Sequence, residues 1–477
     1  MSAGSATQVG LRGDRGPILL GVMLSIGLAA IDSTILATAL PAIVRDLGGL
    51  ADSAWLFSGY LLAQAVTVPI YGKLADMLGR KRVMLFGIVL FLLASLLCGF
   101  AWSTTALIFF RVLQGLGAGA VQPIGMTIVG DIYTLEERAQ AQGYIASVWA
   151  IASIVGPTLG GVFSDFLSWR WIFFVNLPIG VAAIWMLVRS YREPFVDARK
   201  HRIDVAGALS LALGSGLLLA ALLEGGSEWG WMSPITLAVL GGAAAAFVVF
   251  VWVEHRASEP VIPLWVFRHR VLLPNMVVSL IVGMVMMAVT VYLPMFVQNG
   301  LGMTALMGGL PLAAMTLGWP LGASQVGRLY LRFGFRPTMT GGALLSLCGV
   351  GSLLFLQINT PIWVLTLSCF VIGLGFGFCA PAGLVAAQTS VTRLTRGVAT
   401  ASSQFFRSAG SAVGTALYGA LFAAVVVAQL GHTSDTVELD PGLITSALHV
   451  VFAAATIGAV LLVFAAVTMP RRVEPVD

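Results

Sequence analysis

Long apolar runs, each ended by a short stretch of charged residues, glycine or proline, recur along nearly the whole chain. Fourteen can be placed, at 18–41, 53–72, 83–102, 105–129, 140–164, 170–190, 204–223, 234–253, 272–297, 305–327, 338–357, 361–386, 400–427 and 444–468. Most are near the ~20 residues that carry an α-helix across a bilayer, about twice the length of a barrel strand. In hydrocarbon every backbone N–H and C=O must find a partner, and a helix supplies all of them within one segment. The pattern predicts an all-α membrane protein with fourteen transmembrane helices. Residues 1–16 are polar and carry Arg12 and Arg15, and no small-residue cleavage site follows the first run. That run is expected to stay as the first span and not to be removed as a signal peptide.

Composition agrees with the pattern and excludes several function classes. Hydrophobic residues make up 58% of the chain and charged residues 10%, against roughly 25% charged in soluble domains. The net charge of +5 is unevenly placed: 22 of the 26 Lys and Arg lie at the termini and in even-numbered loops, while odd-numbered loops hold Arg45 and Arg170. By the positive-inside rule both termini are expected in the cytoplasm, in a multi-pass protein of the cytoplasmic (inner) membrane. The charge is thus a topology signal and gives no reason to expect a nucleic-acid partner. Cys98, Cys348, Cys369 and Cys379 all fall in predicted spans and imply no disulfide framework. The five histidines are scattered, so no metal site is expected. Gly115-x-Gly117-x-Gly119 lies inside an apolar run, not after a strand, and no Gly-Lys-Ser/Thr phosphate loop exists; no cofactor and no ATP are implied. Clustered His, Asp or Ser of the kind an enzyme needs are not found, and no catalytic residue is assigned.

A duplication organises the chain. Gly115-Leu116-Gly117-Ala118-Gly119 with Pro123 recurs as Gly373-Leu374-Gly375-Phe376-Gly377 with Pro381, 258 positions later, and the same offset carries Arg138 onto Arg396, Gly156 onto Gly414 and Gly161 onto Gly419. Spans 4 and 5 therefore match spans 12 and 13. The expected organisation is a six-helix half at 1–195, a linker with two additional spans at 196–265, and a second six-helix half at 266–477. Repeated helical halves of this kind are how secondary transporters are built, with the substrate site between them.

The loop after span 2 reads Gly72-Lys73-Leu74-Ala75-Asp76-Met77-Leu78-Gly79-Arg80-Lys81-Arg82, a tight basic turn with one acid placed to latch something across the membrane face. This loop resembles the signature loop of the major facilitator superfamily. Its counterpart, Gly327 to Gly334, keeps the glycines but has Leu331 in the place of Asp76. The resemblance implies a cytoplasmic latch on Gly72, Asp76, Gly79 and Arg80, with Glu136 or Glu137 as further members. Gly156-Pro157-Thr158-Leu159-Gly160-Gly161 is similar to the family's antiporter motif, with Ala152 at the usual upstream glycine. Glycines allow close helix approach and proline removes a helix hydrogen bond, so Gly156, Pro157, Gly160 and Gly161 are expected to form a hinge against the other half. Trp169-Arg170-Trp171 through Asn176-Leu177-Pro178, the two extra spans, and Gln404-Phe405-Phe406-Arg407 resemble the fourteen-span drug:proton antiporter branch. Trp169 and Trp171 read as interfacial anchors.

Charges inside the spans are few, and such residues mark function by default. Asp32 in span 1 and Arg111 in span 4 lie at nearly the same depth from the outer end and are expected to pair. Burial and a neighbouring guanidinium pull a carboxyl in opposite directions, which makes such a pair switchable. In the resembling family the Asp of a stretch like Ile31-Asp32-Ser33-Thr34-Ile35 is linked to the proton, and the family's Asn is Ala37 here. Arg407 in span 13 has no acid at a matching depth, leaving backbone carbonyls or a polar group of a substrate as its partners. Gln64, Gln114, Gln122 and Gln404 are interhelical hydrogen-bond candidates, and Trp149, Arg407, Gln64, Gln404 and Met287 are substrate-binding candidates, with Met284 and Met286 as adaptable lining. The expectation is a monomeric, proton-coupled antiporter exporting amphipathic drugs or toxic compounds across the cytoplasmic membrane by alternating access, with a small amphipathic substrate, protons and the lipid bilayer as its partners. A lipid exporter on the same fold is the nearer alternative, and a scaffold or membrane-embedded enzyme the farther one.

Overall fold

The computed structural model describes residues 10–11, 13–48, 55–193, 204–225, 229–257, 260–430, 441–474 and 476. Its helices are α1 (Gly16–Leu47), α2 (Trp55–Leu78), α3 (Arg80–Gly99), α4 (Thr104–Ile132), α5 (Leu135–Phe166), α6 (Trp171–Phe174), α7 (Asn176–Ser190), α8 (Val205–Glu224), α9 (Pro234–Glu254), α10 (Leu272–Met295), α11 (Ala305–Phe333), α12 (Phe335–Ser352), α13 (Ile362–Thr389), α14 (Arg396–Leu430) and α15 (Pro441–Thr468). Each of the fourteen apolar runs is matched by helix, the sixth broken at Val175 between α6 and α7. Among the described residues, twelve segments are long and apolar enough to cross a membrane, α6 and α7 counting together as one, and α2 and α11 are not among the twelve. The physical reason is their position. α2 packs against α14 and α11 against α5, so both face the opposite bundle and carry polar residues such as Gln64, Asp76, Gln325 and Arg328 that a lipid-facing helix would not.

The helices form two bundles. α1 to α7 enclose two apolar clusters, one around Ile26, Phe91 and Val121 and one around Ile35, Leu107 and Phe173. α10 to α15 enclose a third around Val282, Phe376 and Phe452. The duplicated glycines explain why the bundles resemble each other. A Cβ on Gly115, Gly117 or Gly119 would strike Tyr60, Gly87 and Phe91, or Gln64 and Thr67, so α4 touches the α2 and α3 backbones. Gly373, Gly375 and Gly377 of α13 meet Met315, Gly342 with Ser346, and Trp319 with Gly322 in the same way. The paired partners Tyr60 and Met315, Gln64 and Trp319, Gly87 and Gly342 all stand 255 positions apart.

The two extra helices pack on each other, and α8 also lies against α2 and α14, outside the seam between the bundles. The segment after α9 is not loose: Glu254 accepts hydrogen bonds from the Val261 and Ile262 amides at 2.9 and 3.4 Å, and Val266 is buried beside Met276 and Val398. The basic linker residues Arg199, Lys200 and Arg202 lie outside the described residues. Trp171 is exposed, but Trp169 is buried and its indole N–H donates to Asp46 at 3.0 Å, so it braces the end of α1 and is not an interfacial anchor. Hydrogen bonds from Arg170 and Trp169 hold the Asp46 carboxyl below the usual carboxylate range.

Candidate functional site

Three features stand out, and each is assembled from helices distant in sequence. The first is the buried pair. Asp32 on α1 and Arg111 on α4 are each 1% exposed and meet at 2.5 Å. Gln114, one turn along α4, accepts from Arg111 at 2.8 Å and donates to Asp32 Oδ1 at 2.8 Å. Asn176, the first residue of α7, donates to the same oxygen at 3.0 Å and to Ser95 Oγ at 3.0 Å. Arg111 also donates to the Leu56 carbonyl at 3.2 Å, and its guanidinium lies 4.2 Å from the centre of the Tyr60 ring. Taking two ions out of water costs several kcal/mol each, and such a pair persists only when the remaining donors and acceptors are met. Here Asp32 receives three donors, a set fitted to a carboxylate. The sequence left open how Asp32 is supported; Gln114 and Asn176 do it. Both residues stood in view, Gln114 as an interhelical hydrogen bonder and Asn176 within a motif, but their direction around the helix axis is not readable from spacing alone.

Asp32 is sealed within the first bundle and does not face Arg407. The glycine-proline motif stands beside it, although its partner differs from expectation. Gly156 lies against Thr34 and Ile35, and Gly160 against Ile35 and Thr38, all on α1 of the same bundle and not on the other half. Thr34 Oγ1 donates to the Ala152 carbonyl at 3.0 Å, tying the two helices one turn before Gly156, while Gly161 faces open space. Small residues on α5 need the closest neighbour, and α1 supplies it.

The second feature closes the seam at the basic end. Asp76 accepts from the Gly397 and Val398 amides at 2.9 and 2.8 Å and from Arg80 at 2.9 Å. Unpaired amides and the positive end of the dipole at a helix start favour such a carboxylate, so an acid of α2 caps α14. Gly72 allows the approach, since a Cβ there would strike Gly397 and Ala401. Gly79 turns the chain at φ 98, a conformation that favours glycine. Asp131, fully enclosed, pairs with Arg80 at 3.1 Å and with Arg396 at 3.0 Å, and Arg80 also donates to the Arg393 carbonyl. Arg138 reaches the other way, to Thr389 at 3.0 Å, and Tyr330 donates to the Leu135 carbonyl at 2.6 Å. Glu136 and Glu137 are not latch members. Glu136 is exposed, and Glu137 accepts from the Thr134 amide and pairs with Arg15, closing the start of its own helix. Asp131 takes the part assigned to them. A signal existed, because the 258-residue offset that pairs Arg138 with Arg396 also pairs Asp131 with Thr389.

The third feature is Arg407. Among the described residues its guanidinium bonds no backbone carbonyl; Nη2 donates to Gln404 Oε1 at 2.5 Å, and the Gln404 amide nitrogen donates to Met126 Sδ of α4 at 3.0 Å. Trp149, Gln64, Gln122, Met284, Met286 and Met287 are all half-buried.

Comparison with known proteins fits this geometry. The family model described as Major Facilitator Superfamily matches residues 22–223 and 196–415. The chain is similar to the multidrug transporter protein MdtP of Bacillus subtilis, 35% identical over 415 residues that cover 87% of this chain and 76% of the relative. It is also similar to multidrug resistance protein 3 of the same organism, 35% identical over 406 residues that cover 84% of this chain and 78% of the relative. The efflux pump dotC of Dothistroma septosporum is 32% identical over 83% of this chain and 68% of its own length. Among solved structures, the human organic anion transporter MFSD10 superposes with a TM-score of 0.68 at 15% identity, covering 95% of this chain and 99% of that one. A bacterial homologue of the iron transporter ferroportin in its outward-facing state gives 0.66 at 12% identity with the same coverage. At those identities the likeness is one of fold.

Proposed function

The chain belongs to the Major Facilitator Superfamily, a multi-pass membrane transporter and not an enzyme, and from that premise we propose that it is a proton-coupled antiporter of the fourteen-span branch exporting amphipathic drugs or toxic compounds. The halves at 1–195 and 266–477 would alternate access around a site between them, joined through the two added helices at 196–265. With both termini and the basic end in the cytoplasm, the closed seam at Asp76 and Asp131 would make this an outward-facing state, and the working unit is proposed to be a monomer. Efflux relatives among multidrug transporters support the cargo class.

The observation that carries the coupling is the sealed Asp32–Arg111 pair and its amide partners. Asp32 is proposed as the proton carrier and Arg111 as the group that modulates it. Asn176 Oδ1 is buried with no hydrogen-bond partner. Rotation of that amide would offer the oxygen to a protonated Asp32 in place of the nitrogen, so protonation would re-sort the bonds joining α1, α3, α4 and α7. Gly156 and Gly160, seated on α1 just beyond Asp32, would pass that change to α5, with Pro157 as the bend. A pH gradient imposed on proteoliposomes tests the reading: wild type should move a hydrophobic dye against its gradient, and Asp32→Asn should not. An Asp32→Asn variant that pumps at the wild-type rate would remove Asp32 from the coupling.

A further inference from the structure

Arg407 lies eleven residues into α14, about 16 Å along the axis from the closed basic end at 1.5 Å per residue. Gln404, the one hydrogen-bond partner of the Arg407 guanidinium among the described residues, touches Met126 of α4, so the guanidinium stands at the seam between the two bundles, just beyond the layers that close it. Those layers are Asp76 of α2 against the start of α14, Asp131 with Arg396, and Gln388, whose amide nitrogen donates to the Met126 carbonyl at 3.1 Å.

No carboxylate lies within ion-pair distance of Arg407 among the described residues, and Nε and Nη1 have no protein partner there and are not sealed from solvent-sized molecules. Arg111 offers the contrast. Its charge is matched by Asp32, and the pair is closed inside the first bundle, so Asp32 cannot neutralise the seam. A half-buried guanidinium with free donors is suited to a planar or tetrahedral anion, which it can meet with charge-assisted bonds. The Gln404 bond fixes one Nη2 donor and leaves the other edge presented.

We propose that Arg407, oriented by Gln404, receives the anionic head group of the transported amphiphile, a carboxylate, sulfonate or phosphate, and that the protein handles anions and zwitterions in preference to cations. The proposal rests on the export reading for its meaning, but the binding step can be tested apart from transport. The probes are 1-anilinonaphthalene-8-sulfonate and N-phenyl-1-naphthylamine, which share a ring system and differ by the sulfonate. Radiolabelled forms are bound to the tagged full chain in phosphatidylcholine nanodiscs. Wild type should bind the sulfonate about tenfold more tightly than the neutral probe, the ratio that one hydrogen bond to a charged group gives. Arg407→Gln should collapse that ratio towards one, and Arg407→Lys should keep most of it. Loss of the preference in phosphatidylglycerol nanodiscs alone would keep the anion site and assign it to lipid phosphate. Equal binding of the two probes by wild type, no binding of the sulfonate, or an unchanged ratio in Arg407→Gln would overturn the proposal. Sulfonate bound in this way but not moved by a pH gradient would instead count against export.

Discussion

Asn176 is held 3.0 Å from Asp32 and 3.0 Å from Ser95 through one nitrogen, which leaves the other end of its amide buried and unpaired. An unmet buried acceptor costs about 1–3 kcal/mol, so the arrangement is sustained by the surrounding bonds, and under the proposed coupling it would change when Asp32 gains a proton. Asn176→Leu removes the amide and leaves Asp32 with two donors. Transport driven by a pH gradient is expected to fall about tenfold or more, the equivalent of one lost bond to a charged group, and its dependence on pH to flatten. Rates measured across a pH series in proteoliposomes check this, and a wild-type profile would take Asn176 out of the coupling.

At the scale of elements, the glycine rungs of α4 and α13 decide how closely the helices meet. Gly117 faces the Phe91 amide and the Gly87 carbonyl, both backbone, so neither neighbour can turn aside for an added methyl. Gly117→Ala is expected to destabilise the protein by about 1–3 kcal/mol through overpacking. Gly161, although part of the antiporter-like motif, meets nothing within 4 Å. Gly161→Ala should be neutral or stabilising, by up to about 1 kcal/mol, because alanine loses less backbone freedom in a helix. Thermal unfolding of the two variants in the same detergent separates a packing role from a merely helical one.

Across the whole molecule the latch is unequal. At the α2–α14 contact, Asp76 caps α14 with two amide bonds and also pairs with Arg80, whereas at the matching α11–α5 contact the Tyr330 hydroxyl meets the Leu135 carbonyl and exposed Leu331 stands at the position matching Asp76. Bonds to a charged group contribute about 1.5–3 kcal/mol each and neutral ones about 0.5–1.5. Asp76→Asn should therefore shift the population towards an open basic end by tenfold or more, and Tyr330→Phe by clearly less. Distances between spin labels placed on α3 and α12 would report both; equal shifts would mean that the latch is symmetric after all.

Run lengths matched to a bilayer, the offset glycines and the shared depth of Asp32 and Arg111 are properties of position along the chain, and the sequence by itself determined them. Depth depends on residue count along an axis, and close helix contact depends on the absence of side chains, so neither needs a third dimension to be recognised. What faces what is different. Asn176 reaches Asp32 across 144 residues and Arg396 reaches Asp131 across 265, and each contact depends on helix rotation and on which helices become neighbours. The same holds for α2 and α11, whose polar faces make sense only against α14 and α5. Tertiary structure alone decided that Glu137 closes its own helix, that Gly156 sits on α1, and that Arg407 keeps donors free at the seam, because a hundred-degree turn per residue can point one side chain into a bundle and the next out of it.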